Sequence, residues 1–330
     1  MGVNIMALTP KENFRKFFRH ERGEWFPSFF TDANLAVYIT GMDERAPGNR
    51  GGKDFFGCTW VYDEVGMAAV PDTRVAPILE DICDWREVIV FPDLDAVDWE
   101  ASAAADKVDQ YDLNKFNYAM LLEGPFERLH TLMGFENALC AMVTDPDEVA
   151  AFFDRLMEMK CKEIEILHKY YKAEAICFHD DWGTQMNMFF SPDIWRTLLK
   201  PQIKKAVDKC HELGVFFDMH SCGKMDQIIP EFVEIGIDSF QGQGINDILS
   251  AMEKTGNKLS YNVTPRYQEL EAAANAGTLT EEETRAKIRE EVMSCAEKGI
   301  YTPAFVPLRS WWFPVALDEA AKCGKEIFGV

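Results

Sequence analysis

From residue 117 onward the chain alternates short apolar runs with longer amphipathic stretches, and this constrains the fold more than any other feature. "NYAMLLEG", "AEAICFHDDWG", "VFFDMHSCG", "GIDSFQGQ", "KLSYNVTP" and "IYTPAFVP" each read as a strand. The stretches between them open and close at recognisable helix caps. Asp145-Pro146 starts a long helix to about residue 171, and Ser191-Pro192 starts one that Gly214 ends. Another begins near Asp226, a short one closes at Gly256, and Thr280 with Glu283 forms a capping box for a helix ending near Gly299. Strands alternating with helices imply a parallel sheet with right-handed crossovers.

Upstream, Thr9-Pro10-Lys11-Glu12 is a capping box with proline at the first helical position, so "ENFRKFFRHE" is expected to be helical. "EWFPSFF" reads as a strand and residues 41–57 as a long loop, with one poorly placed strand between residues 56 and 91. Eight strand–helix units close into a (β/α)8 TIM barrel, an α/β fold, here with an N-terminal helical and loop extension. Residues 1–330 are expected to form one domain, with the extension and first units in about residues 1–110. No dinucleotide fingerprint supports an open doubly wound sheet, and "GNRGGKD" lacks the phosphate-loop spacing.

The net charge of −21 argues against nucleic acid or an anionic membrane surface as a partner, because phosphate binding needs a cationic surface. Nine scattered cysteines without a CxxC pair do not make a disulfide scaffold. The chain opens on no signal-like segment and has no run of about 18 apolar residues, so a cytoplasmic, reduced location is expected. A homodimer is the default expectation for such a barrel.

In barrels of this kind chemistry is carried at the C-terminal ends of strands. Those ends read Glu123; His179-Asp180-Asp181-Trp182; His220-Ser-Cys222; Gln241 with Gln243; Asn262; and, after the last strand, "LRSWWFP" with Trp311 and Trp312. His220 and Cys222 are two apart, so they point to the same side of a strand end, where an imidazole and a thiol are half of a zinc site. Each residue also has a bland reading: a buried histidine and structural thiol, aspartates capping a turn, tryptophans packing as a lid. Their coincidence at one end favours a metal bound by an imidazole, a thiolate and one or two carboxylates.

"LTPKENFRKFFRHERGEWFP", "DDWGTQMNMFFSPDIWRTLLKPQIKKAVDKCHELG" and "HSCGKMDQIIPEFVEIGIDSFQ" resemble the uroporphyrinogen decarboxylase superfamily, and most closely its corrinoid-dependent methyltransferase branch. The resemblance implies a (β/α)8 barrel. True decarboxylases of the family carry an arginine-rich segment near the N-terminus that holds substrate carboxylates. Here the corresponding "FFTDANLAVYITG" has no arginine, and an acidic mouth is wrong for a highly anionic porphyrinogen. In the methyltransferase branch a His-x-Cys pair and a later cysteine near the last strand hold zinc. His220 and Cys222 match the pair, but "IYTPAFVPLRS" has no cysteine and Cys295 comes too early. Either a carboxylate such as Glu123, Asp180 or Asp181 completes a more oxygen-rich site, or zinc has been lost.

An oxygen-rich site suits polarising an ether or hydroxyl oxygen. The resemblance then implies methyl transfer between a small donor, such as a methoxylated aromatic, and the cobalt of a corrinoid (cobalamin) on a partner protein. In that scheme His220 and Cys222 hold the metal, and Asp180 or Asp181 completes it or delivers a proton. Glu123 and Gln241 orient the donor, and Trp182, Trp311 and Trp312 stack on it. The competing expectations are a metal-independent decarboxylase or lyase on the same scaffold, and a degenerate ligand-binding barrel.

Overall fold

The computed structural model describes residues 8–64, 68–305 and 310–329. Seven strands form one parallel sheet in the order β1 (Ala33–Ala36), β5 (Phe116–Leu121), β6 (Ala175–His179), β7 (Phe216–His220), β8 (Ser239–Gln243), β9 (Ser260–Thr264) and β10 (Tyr301–Pro303). Between β1 and β5 in sequence lies a separate antiparallel sheet of β2 (Gly52–Lys53), β3 (Thr59–Asp63) and β4 (Ala68–Pro71). The chain is therefore an α/β protein. The sheet curls: β5 and β7 are separated by β6, yet the Tyr118 hydroxyl of β5 lies 2.5 Å from Asp218 Oδ2 of β7.

Among the described residues the expected barrel is not closed: the main sheet has seven strands, and its edges, β1 and β10, do not pair. "EWFPSFF" departs from its strand reading for a local reason. Pro27 has no N–H to give a ladder, and Asp32 Oδ2 accepts from both Ser28 N and Trp25 Nε1, turning the chain into a short helix, Phe29–Asp32. The carbonyl of Pro27 accepts from Thr302 Oγ1 at 2.9 Å, so this irregular segment lies beside β10. The poorly placed strand of residues 56–91 is the β3–β4 hairpin, outside the main sheet. The last strand is shorter than its apolar run, and residues 306–307 of that run lie outside the described residues.

The other readings hold closely. Helix Pro10–Phe18 carries its capping box, with Thr9 and Glu12 bonded reciprocally, and Glu281–Lys298 carries the Thr280–Glu283 box. Pro146–Tyr171 is one long helix. The helix expected near Asp226 starts only at Ile229 and is short. In the helical stretch from Pro192 to Glu212, a π turn over Trp195–Leu199 precedes Pro201, which has no N–H to donate and whose ring crowds the turn before it.

The N-terminal end of the sheet is sealed by aromatics. Helix Pro10–Phe18 stacks Phe14 and Phe18 on Phe116 at 5.3 and 5.4 Å between ring centres, and Phe18 on Phe216 at 5.2 Å. The C-terminal end is where polar side chains collect. There the register runs His179, His220, Gln241, Asn262, Thr302 across five neighbouring strands, placing these residues at one level of the sheet.

Candidate metal centre

Parallel pairing sets His179, the last residue of β6, directly beside His220, the last residue of β7. Their rings stack at 4.3 Å with 20° between planes. Two residues past His179 the chain brings Asp181 back to the same rim. One donor atom each from His179, Asp181 and His220 lie within 4.8 Å of one another. His220 Nε2 is 3.6 Å from Asp181 Oδ1 and also 3.6 Å from Cys222 Sγ. The His220–Cys222 pair read from the sequence is thus brought together, and Cys222 N donates to Asp181 Oδ1 at 2.6 Å.

Both imidazoles are oriented from behind. His179 Nδ1 lies 2.8 Å from Glu127 Oε2, and His220 Nδ1 lies 2.7 Å from Gln241 Oε1. With each Nδ1 so engaged, each Nε2 is left free, which is the arrangement that outer acceptors impose on metal-binding histidines. Burial, together with nearby cationic groups, holds both imidazoles down at about 4. They are therefore neutral, and competent to ligate, at neutral pH. Burial alone would raise Asp181, but His179, His220, the Cys222 N–H and Arg45 outweigh it and keep the carboxylate ionised. Burial, reinforced by Asp181 and Glu127, pushes the Cys222 thiol well up. Two neutral imidazoles, a carboxylate and an adjacent thiol form a donor set that suits zinc.

Because the two histidines are depressed from 6.5 to about 4, their contribution to stability is complete above pH 6.5 and is lost as pH falls toward 4. The unfolded chain takes up protons in that window that the folded chain resists, each worth about 1.4 kcal/mol per pH unit. Metal-free protein is expected to show a urea midpoint that declines steadily from pH 6.5 to 4.5. A midpoint that stays flat over that range would contradict neutral, buried imidazoles.

Arg45 completes the rim and has no sequence signal beyond being a cation in a loop. Its Nε donates to Glu123 Oε1 at 2.7 Å and its Nη2 to Glu127 Oε1 at 3.2 Å. Glu123, at a left-handed φ of 55° just past β5, also accepts from Thr131 Oγ1 at 3.0 Å. Burial opposes its charge, yet Arg45, Arg128 and His130 bring it down to about 2. Glu127 goes the other way: burial, with Glu123 and Asp181 close by, raises it well above the ordinary range despite Arg45. Beside this rim a cavity of about 360 Å³ is walled by residues 37–48 and Met120–Leu122, with Arg45 in its lining.

Other sequence candidates sit elsewhere. Where the sequence suggests an acid at Asp180, the structure gives that carboxylate a structural task. It is fully buried and accepts from Phe126 N, Glu127 N and Trp182 Nε1, capping helix Pro125–Met133 from a distant strand. That helix follows Gly124, where a Cβ would come within 2.4 Å of Asp180, so the cap has to come from outside. Trp182 is likewise fully buried, between Trp195 and Phe232, and presents no face for a substrate to stack on. Trp312 is buried with its Nε1 on Glu271, while Trp311 is half exposed. Gln241 orients His220 rather than reaching into the cavity.

Comparison with known proteins agrees with this architecture. The family model described as uroporphyrinogen decarboxylase (URO-D) matches residues 18–304. The chain belongs to that family. Among solved structures, a methyltransferase from Methanosarcina mazei superposes at a TM-score of 0.72 with 13% identity, covering 98% of this chain and 100% of the other. Such a likeness shows that the two chains share a fold over nearly their whole length. A xylanase from Gloeophyllum trabeum (TM-score 0.37, 12% identity, 67% and 78% covered) and the IOLI protein with a zinc atom (0.36, 10%, 72% and 83%) are too distant to carry an argument. None of the curated proteins compared matches this sequence. Among the described residues no helix is long and apolar enough to cross a membrane.

Proposed function

We propose that the chain is a methyltransferase that moves a methyl group between a small donor and a corrinoid carried by a partner protein. In this reading it works as one (β/α)8-type domain in the cytoplasm, with zinc held by His179, Asp181 and His220. The observation that carries the metal reading is the convergence of those three donors with Cys222, each imidazole fixed by its own acceptor. The methyltransferase reading is supported by the family and by the full-length likeness to the Methanosarcina mazei protein.

Zinc at this position would supply a Lewis acid for the donor's oxygen or sulfur. The chain's own residues do the rest. Asp181, held ionised, acts as a ligand rather than as a proton donor. Glu127 Oε2 sits against His179 Nδ1 and its Oε1 accepts from Arg45 Nη2, so this carboxylate orients the imidazole rather than passing a proton to a leaving oxygen. Arg45 already has its charge taken by Glu123 and Glu127, so the adjacent cavity is matched to an uncharged donor rather than a carboxylate or sulfonate. Trp182 and Trp312 are core residues, which removes most of the support for an aromatic donor and favours a small methoxylated one.

The test is zinc content of anaerobically purified protein by mass spectrometry, followed by methylation of Co(I) cobalamin from methoxylated donors, read by absorbance. About one zinc per chain with donor-dependent methyl-cobalamin formation is expected. Protein that stays metal-free after zinc is added back overturns the zinc mechanism. Turnover that is indifferent to both chelator and cobalamin would point instead to a metal-independent lyase.

A further inference from the structure

Inside the curled sheet, below the rim, side chains from three strands form a single hydrogen-bonded line. Tyr118 OH is 2.5 Å from Asp218 Oδ2, Gln241 Nε2 is 3.5 Å from Tyr118 OH, and Gln241 Oε1 is 2.7 Å from His220 Nδ1. Tyr118 and Asp218 are both buried, so water does not compete for these bonds. The line has a direction that follows from counting protons. A carboxylate only accepts, so the single hydroxyl proton of Tyr118 goes to Asp218. The phenol oxygen then faces Gln241 as an acceptor, and the amide must turn its NH2 toward it. That places Gln241 Oε1 against His220, and an oxygen there demands a proton on Nδ1. The Cys177 thiol, 3.9 Å from the same oxygen, is a second weak donor in the same sense.

We propose that Tyr118 and Asp218 are positioning residues that act through Gln241 to hold His220 as its Nδ1–H tautomer, leaving the Nε2 lone pair for a metal ion. Nε2 is the atom that faces Asp181 and Cys222. The inference rests on the metal reading of this site, but its primary measurement needs no metal. Without the Tyr118 hydroxyl only the weak Cys177 donor is left to orient the amide, which then turns over far more readily. His220 then meets an NH2 part of the time, and its Nε2–H tautomer becomes populated.

The experiment is two-bond 15N–1H NMR of histidine-labelled, metal-free protein at pH 8. Only six histidines are present and His220→Gln assigns the signal. Wild type is expected to show a protonated Nδ1 and a bare Nε2 at His220. Tyr118→Phe, which preserves volume, is expected to give a tautomer mixture and to weaken zinc binding about 10-fold in chelator competition, with circular dichroism unchanged. In the Tyr118→Phe/Gln241→Glu double variant, a carboxylate accepts from Nδ1 whatever its rotation, so the single tautomer should return. An Nε2–H tautomer in wild type, or a Tyr118→Phe protein with tautomer and zinc affinity both unchanged, overturns the proposal. Wild type with no zinc affinity counts against the metal reading alone, and the tautomer measurement still decides this inference.

Discussion

His220→Ala is expected to abolish zinc binding and to lower methyl transfer by more than the 10–100-fold that loss of an outer-shell partner costs. His220 Nε2 is the atom that both Asp181 and Cys222 approach, at 3.6 Å each, so removing it leaves no common centre for the remaining donors. His179→Ala should behave alike, since His179 is one of the three residues whose donor atoms converge. Cys222→Ser should be milder, about 10-fold in zinc affinity. Its thiol is held protonated by burial and by neighbouring carboxylates, and Gln243 Nε2 donates to Sγ at 3.4 Å. Metal analysis and chelator competition on the three variants separate two ligand sets. If Cys222→Ser loses zinc while His179→Ala keeps it, the His-x-Cys arrangement holds the metal and the two-imidazole centre is wrong.

The largest expected effect on stability lies behind the site rather than in it. Arg128 is fully buried and bonds Asp54 Oδ2 at 2.7 Å, the Glu44 carbonyl at 2.5 Å and Glu44 Oε2 at 3.1 Å. Lys160, also buried, bonds the other Glu44 oxygen and the Leu122 carbonyl. Asp54 in turn accepts from Phe56 N, Cys58 N and Trp60 Nε1, so this network pins the segment that carries Arg45. Arg128→Met strands Asp54 and part of Glu44 as uncompensated buried charges, at a cost of about 3–5 kcal/mol. Arg128→Lys keeps the charge but loses the planar fork, and should cost less. Urea denaturation followed by tryptophan fluorescence measures both. A loss under about 1 kcal/mol for Arg128→Met would mean the network is not what holds the segment.

The two effects are linked through chain position. Glu44 and Arg45 are adjacent, one bonded into the buried network and the other to Glu123 and Glu127 at the rim. A variant that releases Glu44 therefore also loosens Arg45, one of the cationic groups that keep Glu123 ionised.

Amino-acid order alone determined the strand and helix alternation from residue 117, the two capping boxes, and the placement of His220, Cys222 and Asp181 at strand ends. These depend on local periodicity and cap chemistry, which neighbouring residues carry within a few positions. The resemblance carried by "HSCG" and its flanks named the family for the same reason. Tertiary structure alone decided that His179 joins His220, because parallel register between β6 and β7 sets their rings face to face across 41 positions of sequence. It separated Asp180 from Asp181, neighbours with the same chemistry: one carboxylate caps a helix begun at Pro125, the other turns to the rim. It drew Trp182 into the core and, where Pro27 and Asp32 redirect the chain, turned a segment read as a strand into a short helix. Arg45 and Glu127 reached the site only through folding, 134 and 52 positions away from His179. A sequence shows which side chain points which way along its own strand or helix. Which strand lies beside it, and which distant donor satisfies a buried acceptor, is set by packing.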